Sequence, residues 1–243
     1  MKLIINIPAH NEEKTIGKVI KTIPRQIFGI KTIKVLVIDD GSVDNTRREA
    51  KKAGADYIIS NKTNRGLGYS FQKGINTALE YGADIIVNID ADYQYNPKEI
   101  PKLIEPVLKN KADMVIGNRE IKRITHMPLI KKYGNLALSK FIRSLLNVEI
   151  QDVFSGFRAF SRSYALKIQI NSNYTYTLEN LLQAVFYEAR IKEVSIKFMR
   201  RKHGNSRLIK SLMRHLLYSG STILKMYVRY SFQRFLKSRY VFR

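Results

Sequence analysis

The order of short apolar runs and helical patterns in the first half of the chain most constrains its fold. Five strand-length runs are almost continuously apolar and rich in β-branched residues: Leu3–Ile7, Lys34–Ile38, Tyr57–Ser60, Ile85–Ile89 and Met114–Ile116. Between them, four segments carry apolar residues at helical spacing: Glu12–Thr22, Asp44–Ala53, Tyr69–Tyr81 and Pro97–Lys109. Apolar strands that alternate with helices predict an α/β fold, a mostly parallel sheet covered by helices on both faces.

Polar residues follow three of the predicted strands, at the point where each strand ends. Pro8–Glu12 follows the first strand, Asp39–Ser42 the second and Asp90–Gln94 the fourth. Ligands of parallel sheets bind at the edge formed by the carboxyl ends of the strands. The sequence therefore predicts one carboxylate-rich site at this edge.

The Asp90-Ala91-Asp92 segment is the candidate metal site. Two carboxylates two residues apart at a strand end project to the same side, and Gln94 adds a third oxygen ligand. Mg²⁺ and Mn²⁺ prefer such ligands and keep positions open for substrate phosphates. A lone Asp-x-Asp also occurs in solvated acidic loops, so the prediction depends on the neighbouring strand ends.

The acidic segment after the second strand has two interpretations. Asp39 is placed to accept hydrogen bonds from a base or a ribose, and Gly41 permits a tight turn into the next helix. A turn followed by a helix cap at Asp44 would explain the same residues without any ligand.

The charge of the chain predicts an anionic partner. Its 243 residues carry a formal net charge of +23, and no Asp or Glu follows Glu193. A nucleotide, a lipid headgroup or a nucleic acid would satisfy this charge. A nucleic-acid-binding protein would leave the acidic strand ends unexplained, so we expect no nucleic acid partner. Without cysteine, the chain has no disulfide framework.

Two basic amphipathic segments, residues 121–148 and 208–243, look like additions to the sheet. In the second, apolar residues such as Leu212 and Leu216 alternate with Lys210 and Arg214, a pattern typical of a helix in the headgroup region. A helix packed on the domain would look similar. No window reaches the roughly 18 apolar residues of a membrane span, and the first apolar run is too short for a secretory signal. We therefore expect a peripheral protein on the cytoplasmic face of a membrane.

Seven sequence blocks, in order, resemble the family 2 glycosyltransferases of GT-A fold, in particular the dolichyl-phosphate mannose synthase branch. They are Ile7–Glu13, Asp39–Thr46, Gly66–Gly68, Asp90–Gln94 with Pro97, Gly117–Arg119, Ser155–Phe160, and Arg201 with Gly204–Arg207. The resemblance covers about residues 1–210. It implies a catalytic domain at residues 1–207, which includes the 121–148 segment, and a membrane-surface segment at 208–243.

The resemblance also implies an activity and site residues. The activity is inverting transfer of a sugar from a UDP- or GDP-sugar to a polyprenyl (dolichyl) phosphate at a membrane surface, with Mg²⁺ or Mn²⁺. The implied metal ligands are Asp90, Asp92 and Gln94. The other implied substrate-binding residues are Pro8, His10, Glu12, Asp39 and Ala91, with Lys131 facing the acceptor phosphate. The implied catalytic residues are Asp92, Arg119, Arg201 and Arg207, of which the three arginines contact phosphate.

Some alternatives stay open at this stage. His10 stands where Tyr is frequent in the family, which leaves the base open between uracil and guanine. Asp152 and Glu179 are candidates for a catalytic base, although an ionised acceptor phosphate needs little help from one. A different acceptor, a glycolipid or a polysaccharide, would use the same donor half. A nucleotidyltransferase would ordinarily have a glycine-rich loop directly after the first strand, where this chain has Pro8–Glu12.

Overall fold

A computed structural model describes residues 1–172, 176–201, 218, 220–224 and 228 of the chain. Seven strands form one sheet in the order β3-β2-β1-β4-β6-β5-β7. The strands are β1 (Lys2–Ala9), β2 (Thr32–Asp39), β3 (Tyr57–Ser60), β4 (Ile85–Asn88), β5 (Met114–Asn118), β6 (Arg158–Ser161) and β7 (Ile191–Ser195). The first four strands are parallel to one another, and β7 is parallel to β5. β6 is antiparallel to both of its neighbours, β4 and β5.

Helices cover both faces of the sheet. They are α1 (Ile16–Thr22), α2 (Thr46–Lys52), α3 (Leu67–Glu80), α4 (Ile100–Leu108), α5 (Leu129–Leu146), α6 (Arg162–Ala165) and α7 (Tyr176–Phe186), with 3₁₀ turns at Pro97–Glu99 and Ile121–Arg123. Apolar residues of α1, α2 and α4 join one buried core, and those of α3, α5, α6 and α7 join the other. The predicted mostly parallel sheet between two helical layers is confirmed.

The central strand β1 shows why continuous apolar runs were the informative signal. Its residues alternate between the two cores, so that Leu3 and Ile5 face one helical layer and Ile4 faces the other, all fully buried. A strand buried on both faces has apolar residues at nearly every position, with Asn6 as the buried exception in β1, whereas a half-solvated strand alternates apolar and polar residues.

A polar bridge crosses the second face of the sheet and reaches the loop before β6. Asn6 Nδ2 donates to Asn88 Oδ1 at 2.9 Å, and Asn88 Nδ2 donates to the carbonyl oxygen of Gly156 at 2.9 Å. All three residues are buried. Since buried amides are costly unless paired, this bridge fixes the loop at Gly156 against the end of β4.

The five predicted strands are present, while several helix boundaries differ from the prediction. α1 begins at Ile16 rather than Glu12, because residues 12–15 form a turn whose Glu12 carbonyl accepts from the N–H groups of Thr15 and Ile16. The N-cap of α2 is Asn45 rather than the predicted Asp44, although the Asp44 Oδ1 accepts from the N–H of Thr46, the first residue of the helix, at 3.0 Å.

The second half of the chain was predicted only in outline. β6, β7, α6 and α7 carried no predicted element, and the 121–148 segment contains the long helix α5. The predicted boundary at residue 207 and most of the 208–243 segment lie outside the described residues. Within the described part of the chain, no helix is both long and apolar enough to cross a membrane.

Candidate active site

The loops after β1 and β2 interlock at the carboxyl edge of the sheet. Asn11 N–H donates to Ser42 Oγ at 2.9 Å, and Glu12 N–H donates to Thr46 Oγ1 at 2.8 Å. In return, Asn11 Oδ1 accepts from the Val43 N–H at 2.9 Å. The structure therefore brings two of the three predicted strand ends into direct contact.

Asp40 and Gly41 attach a third loop to this edge. The Asp40 carboxylate accepts from the backbone N–H groups of Arg65 and Gly66 at 2.9 and 2.8 Å. Gly41 has φ +68°, and a Cβ there would lie 2.6 Å from the carbonyl carbon of Thr63. The tight turn predicted at Gly41 is confirmed, and this close approach excludes any side chain there.

Asp39 presents a buried acceptor towards the same edge. Its Oδ1 accepts from the Ser42 N–H at 3.2 Å, while Oδ2 is buried and has no hydrogen-bond partner among the described residues. The nearest cation is Arg47, whose Nε lies 3.5 Å from Oδ2 without forming a hydrogen bond and whose side chain is largely exposed. Because buried acceptors are normally satisfied, Oδ2 is suited to a donor group of a ligand. Pro8 and His10, also predicted here, belong to the neighbouring strand: Pro8 lies within β1 and His10 directly follows it, and Ala9 between them pairs with Asp39.

The predicted metal ligands lie after β4. Burial, and next the charge of Asp92, raise the pKa of Asp90 to about 7. Burial also raises the pKa of Asp92, whose Oδ1 accepts from the Gln94 N–H at 2.9 Å. Ala91 between them is buried. Two neighbouring carboxylates repel each other when both are ionised, so a bound cation would stabilise their ionised forms. Carboxylate oxygens are ligands suited to Mg²⁺ or Mn²⁺.

The donor set at this position is incomplete without substrate. The described residues contain no group of three or more His, Cys, Asp or Glu that could hold a metal ion. Two carboxylates and an amide leave positions for phosphate oxygens, which is how Mg²⁺ is usually bound beside phosphates. Gly156 keeps the space open, because a Cβ there would lie 3.3 Å from both Asp90 carboxylate oxygens.

Arg201 lies over the acidic residues. Its Nη1 donates to Asp92 Oδ2 at 3.1 Å and its Nη2 to Glu12 Oε1 at 2.5 Å. The segment that carries it is attached to the metal loop, since Met199 N–H donates to the Gln94 carbonyl at 2.8 Å and Tyr95 forms a β-bridge with Phe198. The structure thus joins Glu12, Asp92 and Arg201, three of the predicted site residues. Arg207 lies outside the described residues.

Arg119 and Lys131 bring further positive charge to the cleft. The Arg119 guanidinium binds the buried Asp152 carboxylate through Nε and Nη2, both at 2.7 Å. Lys131, in the first turn of α5, has a lowered pKa because its ammonium is partly desolvated and because Arg119 and Arg201 are close, although much of its side chain is exposed. Three cations therefore converge opposite the carboxylates, a distribution suited to phosphate groups bridged by a metal.

The model of the Glycosyl transferase family 2 matches residues 4–168, more than half of the chain and all of the strand ends just described. The chain belongs to glycosyl transferase family 2. The resemblance of the seven sequence blocks is thereby confirmed, and so is the prediction that the protein is an enzyme, a glycosyltransferase.

Known relatives of this family 2 glycosyltransferase extend over most of its length. The UDP-N-acetylglucosamine–dolichyl-phosphate N-acetylglucosaminyltransferase of Methanococcus voltae is 33% identical over 90% of this chain and 94% of its own. The undecaprenyl-phosphate mannosyltransferase of Micrococcus luteus is 28% identical over 86% of this chain and 88% of its own. Glucosyl-3-phosphoglycerate synthase of Mycobacterium tuberculosis, solved with Mn²⁺ and UDP-glucose, superposes with a TM-score of 0.73 at 22% identity over 93% of this chain and 79% of its own. This last similarity confirms the predicted GT-A fold.

The structure assigns contacts to residues whose roles were open in the glycosyltransferase sequence. Asp152 is bound to Arg119, and the buried Glu179 carboxylate accepts from the N–H groups of Asn171 and Ser172. Both carboxylates order backbone, and a base role for either stays an untested prediction. Sequence reasoning did not find Glu193, which contacts the Asp152 loop, because a Glu on a short strand carries no motif.

Proposed function

We propose that this glycosyltransferase transfers a sugar, with inversion, from a UDP- or GDP-sugar to a polyprenyl phosphate at a membrane surface. One observation carries the proposal: the carboxylates of Glu12, Asp90 and Asp92 lie close to the cations of Arg119, Lys131 and Arg201, and Arg201 contacts two of them directly. The site therefore combines acids that suit a metal–diphosphate with cations that suit phosphate groups.

The donor occupies the carboxyl edge of the sheet. Asp39 Oδ2 accepts from the base or ribose, beside Pro8 and His10. Asp90, Asp92 and Gln94 would hold Mg²⁺ or Mn²⁺, and the ion would neutralise the charge that develops on the departing diphosphate. Arg201 lies within reach of the same diphosphate. The complex with Mn²⁺ and UDP-glucose named for a similar fold supports this assignment.

The acceptor phosphate binds between Arg119 and Lys131. Since a phosphate monoester is already ionised near neutral pH, its oxygen is a competent nucleophile, and the protein contributes mainly positioning and charge stabilisation. The dolichyl-phosphate and undecaprenyl-phosphate named for two relatives support a polyprenyl phosphate as acceptor.

An exposed apolar stripe on α5 supports action at a membrane surface. The stripe consists of five large apolar side chains that are each more than half exposed: Leu129, Ile130, Tyr133, Phe141 and Leu145. Four of them are spaced by four or eight residues, so they share one broad side of the helix, while Leu138 and Ile142 face the core. Exposed apolar stripes of this kind mark interaction surfaces. Lys131 lies in the first turn of the same helix, so an acceptor phosphate bound to it would lie close to the membrane. The basic 208–243 segment would add to the attachment as a separate surface segment.

A reconstituted assay tests the function. The full chain is incubated with Mn²⁺, a panel of UDP- and GDP-sugars and a short-chain polyprenyl phosphate, and products are identified by mass spectrometry. We expect one sugar to appear as a phosphodiester-linked glycolipid, and EDTA to stop its formation. Sugar transfer only to an uncharged glycolipid or polysaccharide would contradict the proposed acceptor, and full turnover in EDTA would contradict the metal.

A further inference from the structure

We infer that Asp152 and Glu193 are positioning residues that hold Arg119 in one orientation for the acceptor phosphate. The inference rests on the proposed transfer to a phosphate acceptor and concerns two carboxylates to which no role had been assigned. It makes Asp152 a support for a cation rather than the base of the reaction.

The pair of Arg119 and Asp152 is fixed by three hydrogen bonds. Besides the two guanidinium bonds, the Arg119 backbone N–H donates to Asp152 Oδ2 at 3.0 Å. The Asp152 side chain is 1% exposed and that of Arg119 is 11% exposed. A buried bidentate pair of this geometry fixes the guanidinium plane, so Arg119 has little orientational freedom to lose when it binds an anion.

Glu193 fixes Asp152 in turn. From β7, its Oε1 accepts from the Asp152 backbone N–H at 2.8 Å, and its Oε2 accepts from Asn118 Nδ2 at 3.3 Å. Asn118 immediately precedes Arg119 at the end of β5. One carboxylate therefore connects both sides of the Arg119–Asp152 pair, and it belongs to the strand that leads to Phe198 and Arg201.

The guanidinium has a second neighbour, the aromatic ring of Phe198. The Phe198 ring lies below it, with the Arg119 Cζ 5.3 Å from the ring centroid. Bound by Asp152 at one edge and contacted by the ring at one face, the guanidinium stays close enough to Lys131 for its charge to help lower the pKa of that side chain. These contacts of Asp152, Glu193 and Phe198, called the Arg119 clamp below, thus keep the charge of Arg119 at the site.

The same contacts argue against proton transfer to Asp152. Oδ1 accepts from Arg119 Nη2, and Oδ2 accepts from Arg119 Nε and N–H, so both oxygens are engaged with a cation. A general base needs an oxygen directed at the proton that it removes. An acceptor that is already ionised has no such proton to lose.

The chain contains a matched control for this clamp. Asp113 and Arg190 form the same set of three bonds, from the Arg190 N–H, Nε and Nη2 at 3.0, 2.9 and 3.0 Å. This pair joins the starts of β5 and β7, the ends opposite to the site. Asp113→Asn therefore removes a pair with the same three bonds, although a more exposed one, at the opposite end of β5 and away from the site.

The experiment compares Asp152→Asn, Glu193→Gln and Asp113→Asn in the full chain with saturating Mn²⁺ and donor. We expect Asp152→Asn to raise the KM for a short-chain polyprenyl phosphate about tenfold and Glu193→Gln about threefold, since small misplacements of a binding group are costly. The donor KM and the shape of the pH–rate profile should stay as in the wild type, and Asp113→Asn should change neither KM. In an Arg119→Ala background, Asp152→Asn should have no further effect.

Three results would overturn the inference. One is a loss of kcat in Asp152→Asn with an unchanged acceptor KM and a flattened acidic limb of the pH profile, which would make Asp152 the base. Another is an equal effect of Asp152→Asn and Asp113→Asn, which would make the pair a general structural contact.

If the melting curve shows that Asp152→Asn does not fold, Glu193→Gln decides, and an unchanged acceptor KM in that variant contradicts the clamp. A wild type that uses a different acceptor would refute the proposed function, while the same comparison on that acceptor would still decide the inference.

Discussion

At the residue scale, the two ion-pair networks of the site have different consequences. Arg201 contacts Asp92, a predicted metal ligand, so the guanidinium and a divalent ion compete for one carboxylate. Arg119 contacts Asp152, which lies outside the predicted metal set. Metal binding should therefore disturb the first network and leave the second intact.

The competition gives a prediction for Arg201→Gln. Without nucleotide, this variant should bind Mn²⁺ about fivefold more tightly, because a partly buried ion pair of about 1 kcal/mol no longer opposes the metal. Titration calorimetry measures the affinity. Arg200→Gln is the matched control, since the neighbouring Arg200 is exposed and carries the same charge. Equal Mn²⁺ affinity in both variants and the wild type would show that Arg201 does not compete.

Asp92 itself gives a second prediction. Asp92→Ala should abolish glycolipid formation and Mn²⁺ binding, while the melting temperature stays within a few degrees of the wild type. The reason is that the Asp92 side chain accepts hydrogen bonds from the Gln94 N–H and from Arg201, which belong to the site and not to either core. Activity that survives this substitution would place the metal elsewhere.

At the scale of elements, α5 combines two functions on one helix. Its buried residues close the second core, its first turn carries Lys131, and its outer side carries the apolar stripe. Under the proposed function, this helix would hold the acceptor-binding Lys131 and the apolar stripe at a fixed distance from each other, because both belong to one rigid element.

The stripe predicts vesicle binding. Replacing Ile130, Tyr133 and Phe141 together by Ser should reduce co-sedimentation with vesicles of anionic lipid at least severalfold, since each side chain loses a large part of its apolar area. Donor affinity should stay unchanged. Leu166→Ser, an exposed leucine in the turn after α6, is the control. Unaltered sedimentation of the triple variant would transfer the membrane contact to the 208–243 segment.

At the scale of the whole molecule, Arg158 connects three segments of the second half of the chain. It is fully buried at the start of β6, and its guanidinium donates to the carbonyl oxygens of Ser155, Thr177 and Val153 at 2.9, 2.8 and 2.7 Å. These bonds tie the antiparallel strand, the loop at Gly156 and the start of α7 to one point. Arg158 therefore satisfies backbone groups that would otherwise be buried without partners.

Arg158→Met should destabilise the protein by about 3 kcal/mol or more, because it leaves several buried carbonyl groups without donors. Urea unfolding followed by circular dichroism measures the change. Arg162→Met, at the exposed start of α6, should cost less than about 1 kcal/mol and serves as the control. A loss in Arg158→Met no greater than that in Arg162→Met would contradict this role.

The local sequence pattern was sufficient to predict the strands in the first half of the chain, because strands buried on both faces consist of nearly unbroken apolar runs. The carboxyl ends of these parallel strands must then lie at the same edge of the sheet. That reasoning located Asp39, Asp90 and Asp92, and family resemblance added the cations. The tertiary structure alone decided which cation meets which acid: Arg119 and Asp152 are 33 residues apart, and Arg201 and Asp92 are 109 apart. It also decided the insertion of β6 between β4 and β5, since a four-residue strand that begins with a buried arginine has no local signature. The apolar pattern of a sequence indicates which residues are buried, because burial depends on the polarity of each side chain. Which side chains form ion pairs depends instead on how distant segments of the chain pack together.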